Sequence, residues 1–132
     1  MIALVLLITL STANARTCNE ASTVSAGCDT CDINDVLTDL GGDKVVPNLV
    51  FPKDPVDGCS VTELRCLDER WSSCDSVTAY GVTATSTEMI GLSFLTSARV
   101  NLTCSNDGTW SDSQVSQVTG IHTVYCTYVN CS

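Results

Sequence analysis

The chain is short of positive charge: six Lys and Arg stand against fifteen Asp and Glu in 132 residues, leaving a net charge of −9. Such a balance repels polyanions, which excludes nucleic acid and anionic membrane surfaces as partners. Histidine is scarcer still. His122 is the single one, so any Ser–His or Cys–His mechanism has to use it as base, and no G-x-S-x-G turn or comparable nucleophile motif accompanies it. Beyond the first fifteen residues no apolar run approaches the roughly 18 to 20 residues that span a bilayer. The longest, 89–95, is interrupted by Gly91 and Ser93, so no membrane span is expected. Internal repeats and low-complexity tracts are also missing, which argues against an array of stacked units.

Cysteine is what the chain has in excess. Nine follow the apolar stretch at 1–15, which has the make-up of a secretory leader, with Ala13 and Ala15 as the small residues before a cleavage site. The expected organisation is a signal peptide over 1–15, a polar arm over 16–27, and one disulfide-rich extracellular domain over 28–132. An oxidising compartment makes each cysteine a bridge candidate: Cys28, Cys31, Cys59, Cys66, Cys74, Cys104 and Cys126 sit in or beside expected strands and turns. Nine is odd, so at least one stays free, is capped or bonds to another chain. Cys18 on the polar arm and Cys131 beside the C-terminus are the candidates, because a mobile end reaches another molecule most easily; a disulfide-linked dimer follows as an option.

The remainder reads as mainly β. Ile33, Val36, Leu37 and Leu40 form one stripe at helical spacing, with Asp32 as N-cap and Gly41 as stop, and predict one short helix near residues 33–40. Segment 45–55 carries all three prolines and is expected to be irregular or an edge strand ending at the Asp57-Gly58 turn. Strands are predicted over 60–66, 76–85, 89–95, 99–104, 114–118 and 121–129, with turns at 68–75, 106–108 and Thr119-Gly120. The sharpest alternation puts Val100, Leu102 and Cys104 on one face and Arg99, Asn101 and Thr103 on the other. Short strands at this spacing predict a small antiparallel sandwich or barrel stapled by disulfides.

Few motifs carry chemistry. Asn101-Leu102-Thr103 is an N-glycosylation sequon on the face the alternation exposes; Asn130-Cys131-Ser132 also fits the pattern but is a poor acceptor, with Cys at its centre. Seven acids between Asp29 and Asp57 are offset only by Lys44 and Lys53, yet Val36 and Leu37 fall where a calcium loop needs a ligand and a glycine, so a solvated acidic surface is the reading. Cys28-Asp29-Thr30-Cys31 has C-x-x-C spacing without the second pair of a zinc site or the βαβ unit of a redox site. Trp110 suits either a sugar-stacking platform or a core ring packed over a disulfide, the second being the commoner arrangement.

In order, Cys28-x-x-Cys31, Gly58-Cys59, Leu64-Arg65-Cys66, Leu102-Thr103-Cys104 with Gly108-Thr109-Trp110, and Val124-Tyr125-Cys126 resemble the six-cysteine extracellular domain (C6 domain) expanded in nematodes, itself a domain of unknown function. The likeness runs from Cys28 to Cys126. It implies an extracellular scaffold with no assigned activity, and a Cys28–Cys59 bridge, because the first and third cysteines of that family tend to be lost together. Cys18, Cys74 and Cys131 fall outside the six-cysteine pattern.

The expected function is therefore a secreted, N-glycosylated binding or structural module for an extracellular protein or glycan, with no cofactor, no metal and no catalytic set. Its rival is a protease inhibitor that presents Arg70 on the loop between Cys66 and Cys74, and less readily a secreted enzyme.

Overall fold

A computed structural model describes residues 27–67 and 73–132. The expected leader, nearly all of the polar arm with Cys18, and the middle of the Cys66–Cys74 loop with Arg70 lie outside the described residues.

The domain is mainly β, a single antiparallel sheet curled into a half-barrel and held by four disulfides. Its strands are β1 (Leu49–Val56), β2 (Cys59–Leu67), β3 (Ser76–Val82), β4 (Thr87–Phe94), β5 (Ser97–Cys104), β6 (Trp110–Asp112), β7 (Val118–Ile121) and β8 (Thr123–Val129). They pair in the order β1-β2-β5-β4-β3-β8, with β6 added to β5 and β7 to β6. The period-2 pattern drives the inward face: Leu64, Cys66, Ala98, Val100, Leu102 and Cys104 are buried from adjacent strands β2 and β5. Val77, Ala79, Ile90, Ile121 and Val124 complete one continuous core across the curl.

Curling brings the two ends of the sheet together, and the bridges lie where hydrogen bonding stops. Cys66–Cys126 joins β2, second in the strand order, to β8 at its far end; the two cysteines are 60 residues apart and both sulfurs are sealed in the core. Beside it, Val45 pairs with Cys126 through both backbone bonds, at 2.9 and 2.7 Å, just before the chain enters β1. Cys28–Cys59 and Cys31–Cys104 pin the N-terminal loop to the start of β2 and the end of β5. Cys74–Cys131 ties the segment leading into β3 to the residue pair beyond β8.

The strand at 114–118 and the helix near 33–40 are corrected for related reasons. The helical segment is a single 3-10 turn, Ile33–Val36, ending at Leu37 rather than at Gly41. Asp32 does cap it, accepting from the Asn34 N–H at 2.9 Å, but Asp39 captures the Gly41 N–H at 2.9 Å. Short acidic side chains thus compete with the helical ladder and win. Leu40, meant for the helical stripe, is exposed. Likewise residues 113–117 form a turn because Asp112 captures the Val115 and Ser116 N–H groups. Pairing resumes only at Val118, so Thr119-Gly120 lies inside β7 and the break falls at His122 instead. Strand 76–85 stops at Val82, where Thr83 Oγ1 accepts from the N–H groups of Thr85 and Ser86.

Cys131 is corrected as an odd-cysteine candidate. The far end of β8 runs beside the approach to β3, with Asp75 N–H bonded to the Val129 carbonyl at 2.8 Å, and this delivers Cys131 to Cys74 at a Cα separation of 3.9 Å. The six cysteines of the resemblance pair only among themselves, and the Cys28–Cys59 bridge it implies is present.

Candidate functional site

Strands β1, β2 and β5 turn their second face away from the core, and register assembles its side chains in rows. Leu49, Arg65 and Arg99 form one row, Phe51, Glu63 and Asn101 the next, and Lys53, Val61 and Thr103 the third. Leu92 of β4 continues the first row beyond Arg99. Cations are gathered here: Lys53, Arg65 and Arg99 are half of the chain's six basic residues.

Glu63 organises them. Its side chain is 6% exposed, and it accepts from Arg65 Nε at 2.9 Å and Nη2 at 2.8 Å, with Lys53 Nζ and Arg99 Nε each at 3.9 Å. One buried carboxylate among three cations leaves the face positive on an otherwise acidic chain. The guanidiniums also lie over rings, Arg65 4.7 Å from the Phe51 centroid and Arg99 5.9 Å from that of Phe94. Each stack is worth about 0.5–1 kcal/mol at such exposure and restrains a side chain that otherwise has several free rotors. Arg65 and Arg99 remain about 40% exposed, so both keep N–H groups turned toward solvent. Planar, fixed and only part-satisfied guanidiniums are suited to carboxylates.

Asn101 stands in the centre of this face, half-buried rather than open. Its Nδ2 donates to Gln114 Oε1 at 3.2 Å, while Oδ1 is buried without a hydrogen-bond partner. The sequon therefore occupies the cation-bearing surface and not a neutral one.

The other sequence candidates separate. Trp110 is core, 2% exposed and paired across β5–β6 with Cys104 of the Cys31–Cys104 bridge. One edge of it contributes to a cleft of about 360 Å³ between the 3-10 turn and β1, lined also by Asp32, Lys53 and Thr62. His122 is exposed, with its Nδ1 3.1 Å from Thr123 Oγ1. The acidic residues of 29–57 do not converge: among the described residues no group of three or more His, Cys, Asp or Glu side chains is placed to hold a metal ion. On β3 and β8, Tyr80 and Tyr125 stack at 5.2 Å with Lys44 over the Tyr125 ring at 5.5 Å. Burial, then the neighbouring Tyr80 and Asp43, push the Tyr125 phenol above its ordinary value. Asp107 is held below the carboxylate range by bonds from the Thr109 hydroxyl and N–H.

Sequence reasoning missed the face, although half of its signal was visible. Glu63-x-Arg65 and Arg99-x-Asn101 each alternate outward on a predicted strand, but nothing local tells that residues some 35 positions apart share a row. Residues 57–110 match the family described as "Domain of unknown function (DUF281)". The matched stretch runs from the turn before β2 to the first residue of β6, so it is similar over Glu63, Arg65, Arg99 and Asn101 but not over β1 or β8. No curated protein and no solved structure matches the chain. No helix among the described residues is long and apolar enough to cross a membrane.

Proposed function

We propose that the protein is a secreted, disulfide-stapled recognition module of the six-cysteine type, not an enzyme, and that it engages an acidic segment of an extracellular protein through the Arg65–Arg99 face. The observation that carries the reading is the concentration of half the basic side chains on one sheet face, each guanidinium laid on a phenylalanine around a single buried carboxylate. Four bridges and an odd number of cysteines fit an oxidising compartment. A short acidic peptide, whose few carboxylates can all sit on this one face, is favoured over a long sulfated polymer, which would also run along the rest of a chain of net charge −9. The flanking Leu49, Phe51 and Leu92 offer apolar contact beside the charges. Titration with a labelled oligo-glutamate peptide tests this. Binding should weaken with salt and fall about tenfold in Arg99→Ala, roughly 1.4 kcal/mol. This variant leaves Arg65 in place to neutralise Glu63, and binding indifferent to both salt and Arg99 would sink the proposal.

A second reading rests on one specific feature. Both ends of the 67–73 segment are stapled, Cys66 to Cys126 and Cys74 to Cys131, as a rigid protease-inhibitory loop requires. Stoichiometric inhibition of a trypsin-like protease that disappears in Arg70→Ala would select it.

A further inference from the structure

We propose that an N-linked glycan on Asn101 lies over the Arg65–Arg99 face and closes it to an acidic partner. The inference deepens the recognition reading and rests on it for the partner, but not for the position of the glycan. That position follows from register. Asn101 is the direct cross-strand neighbour of Glu63, and Arg99 precedes it by two residues on the same face. With strands about 4.8 Å apart and a rise of about 3.4 Å per residue, Glu63 is one strand spacing away and Arg99 about 7 Å along β5. The first sugars joined to Asn101 therefore meet the guanidiniums before they meet open solvent.

The local chemistry accepts the modification. The amide nitrogen of Asn101 carries two hydrogens, and the bond to Gln114 Oε1 uses one of them. Transfer from a pyrophosphoryl-lipid oligosaccharide forms the bond from that nitrogen to the sugar C1, breaks the sugar–pyrophosphate bond and releases the proton and the lipid pyrophosphate, and it keeps the Gln114 contact and the strand pairing. Sugar hydroxyls can then accept from Arg65 and Arg99, whose side chains are 40% and 43% exposed, and the Phe51 ring lies two strands away in the same row. A carboxylate ligand and the inner sugars would compete for one set of donors. The protein would thus exist in two forms that differ in whether its positive face is available.

The test uses the full chain secreted from a glycosylating host, compared with Thr103→Ala. That variant removes the sequon but leaves Asn101, Gln114 and all the cations in place. A second comparison, enzymatic release of the glycan from the folded protein, which leaves aspartate at position 101 and is therefore read against Asn101→Asp, guards against a folding defect in the variant. Peptide mass mapping should find Asn101 occupied. Phenylglyoxal should modify Arg65 and Arg99 in Thr103→Ala and in the released protein, whereas both arginines lose most of that reactivity in the glycosylated form. Affinity for the oligo-glutamate peptide should be about tenfold or more weaker in the glycosylated form. An unoccupied Asn101, or equal arginine reactivity with and without the glycan, overturns the inference. If reactivity differs but Arg99→Ala leaves peptide binding of the unglycosylated protein unchanged, the glycan position stands and the recognition reading is what fails.

Discussion

Replacing Asp112 by alanine should be the most damaging single change outside the cysteines. The residue is fully buried, and its carboxylate accepts from the Gly91 N–H at 2.8 Å, the Val115 N–H at 3.3 Å, and the Ser116 N–H and hydroxyl at 3.2 and 2.8 Å. It thereby ties the turn at 113–117 to β4 at Gly91, between Ile90, which pairs with β3, and Leu92, which pairs with β5. In Asp112→Ala the Val115 and Ser116 donors can turn to water on the exposed turn, at about 1 kcal/mol each, whereas the Gly91 N–H is left facing protein at about 1–3 kcal/mol. The sum, about 3–5 kcal/mol, is a large fraction of the roughly 5–15 kcal/mol available to a small domain. At about 4 °C or more per kcal/mol, the midpoint of thermal unfolding should fall by at least about 12 °C. Ser116→Ala, which removes one of the four bonds, should cost about 1 kcal/mol. Denaturant titration with the bridges intact measures both. A loss below about 1 kcal/mol in Asp112→Ala would refute the argument, since it would mean that the orphaned donors find other partners.

Gly91→Ala should be severe for a related reason: φ is +65°, and an added Cβ would collide with the Arg99 carbonyl oxygen, so the yield of folded protein and the unfolding midpoint should both drop, while a variant of normal stability would deny the close β4–β5 approach. The raised pKa of Tyr125 means that its neutral form is favoured in the fold; the stability this contributes is present below the unfolded value of about 10 and is lost as pH rises through the folded one. Tyr125→Phe should therefore blunt alkaline destabilisation above about pH 10, seen as a shallower decline of unfolding midpoint with pH. Replacing Cys66 and Cys126 together by alanine removes the closure of a 60-residue separation and should cost about 4 kcal/mol, more than a solvent-facing bridge, as read by denaturant titration. Because the other eight cysteines are paired, Cys18 should be the one that links to a second molecule: non-reducing gels of the protein produced under oxidising conditions should show a dimer that Cys18→Ser abolishes, and a wild-type monomer with a free Cys18 would reject this.

Fold class was legible because it rests on local signals. The alternation of 99–104 places Val100, Leu102 and Cys104 in the core as expected, since a period of two needs no knowledge of partners. Trp110 as a core ring beside a disulfide was legible from its nearness in sequence to the cysteine strand that ends at Cys104. Part of what failed turned on which nearby donor a short acidic side chain captures, Asp39 taking the Gly41 N–H and Asp112 those of Val115 and Ser116. Asp112 also accepts from the Gly91 N–H, 21 residues earlier, a contact no local pattern shows. The three-residue β6 is too short to show a period, and Cys131 resembled a mobile end until β8 was seen to run beside the approach to β3. The candidate face was the least legible of all, since a row such as Phe51, Glu63 and Asn101 exists only once two registers are fixed.

Those registers also explain how so small a domain can present ordered charged side chains. Long basic residues lose up to about 2 kcal/mol of rotamer entropy when held, which is why exposed ion pairs contribute little on average. Here three restraints act before any ligand arrives. The Cys66–Cys126 bridge and the Val45–Cys126 pairing close the curl and hold β2 against the far end of the sheet. Phe51 and Phe94 support the guanidinium planes from one side, and Glu63 draws both arginines from the middle. Removing Phe51 should therefore weaken ligand binding by freeing Arg65 without changing the charge of the face. Removing Glu63 should make the face more positive and yet less ordered. The two substitutions separate net charge from geometry as the source of recognition: if Glu63→Gln strengthens peptide binding and Phe51→Ala leaves it unchanged, charge alone governs, and the stacked arrangement is structural rather than functional.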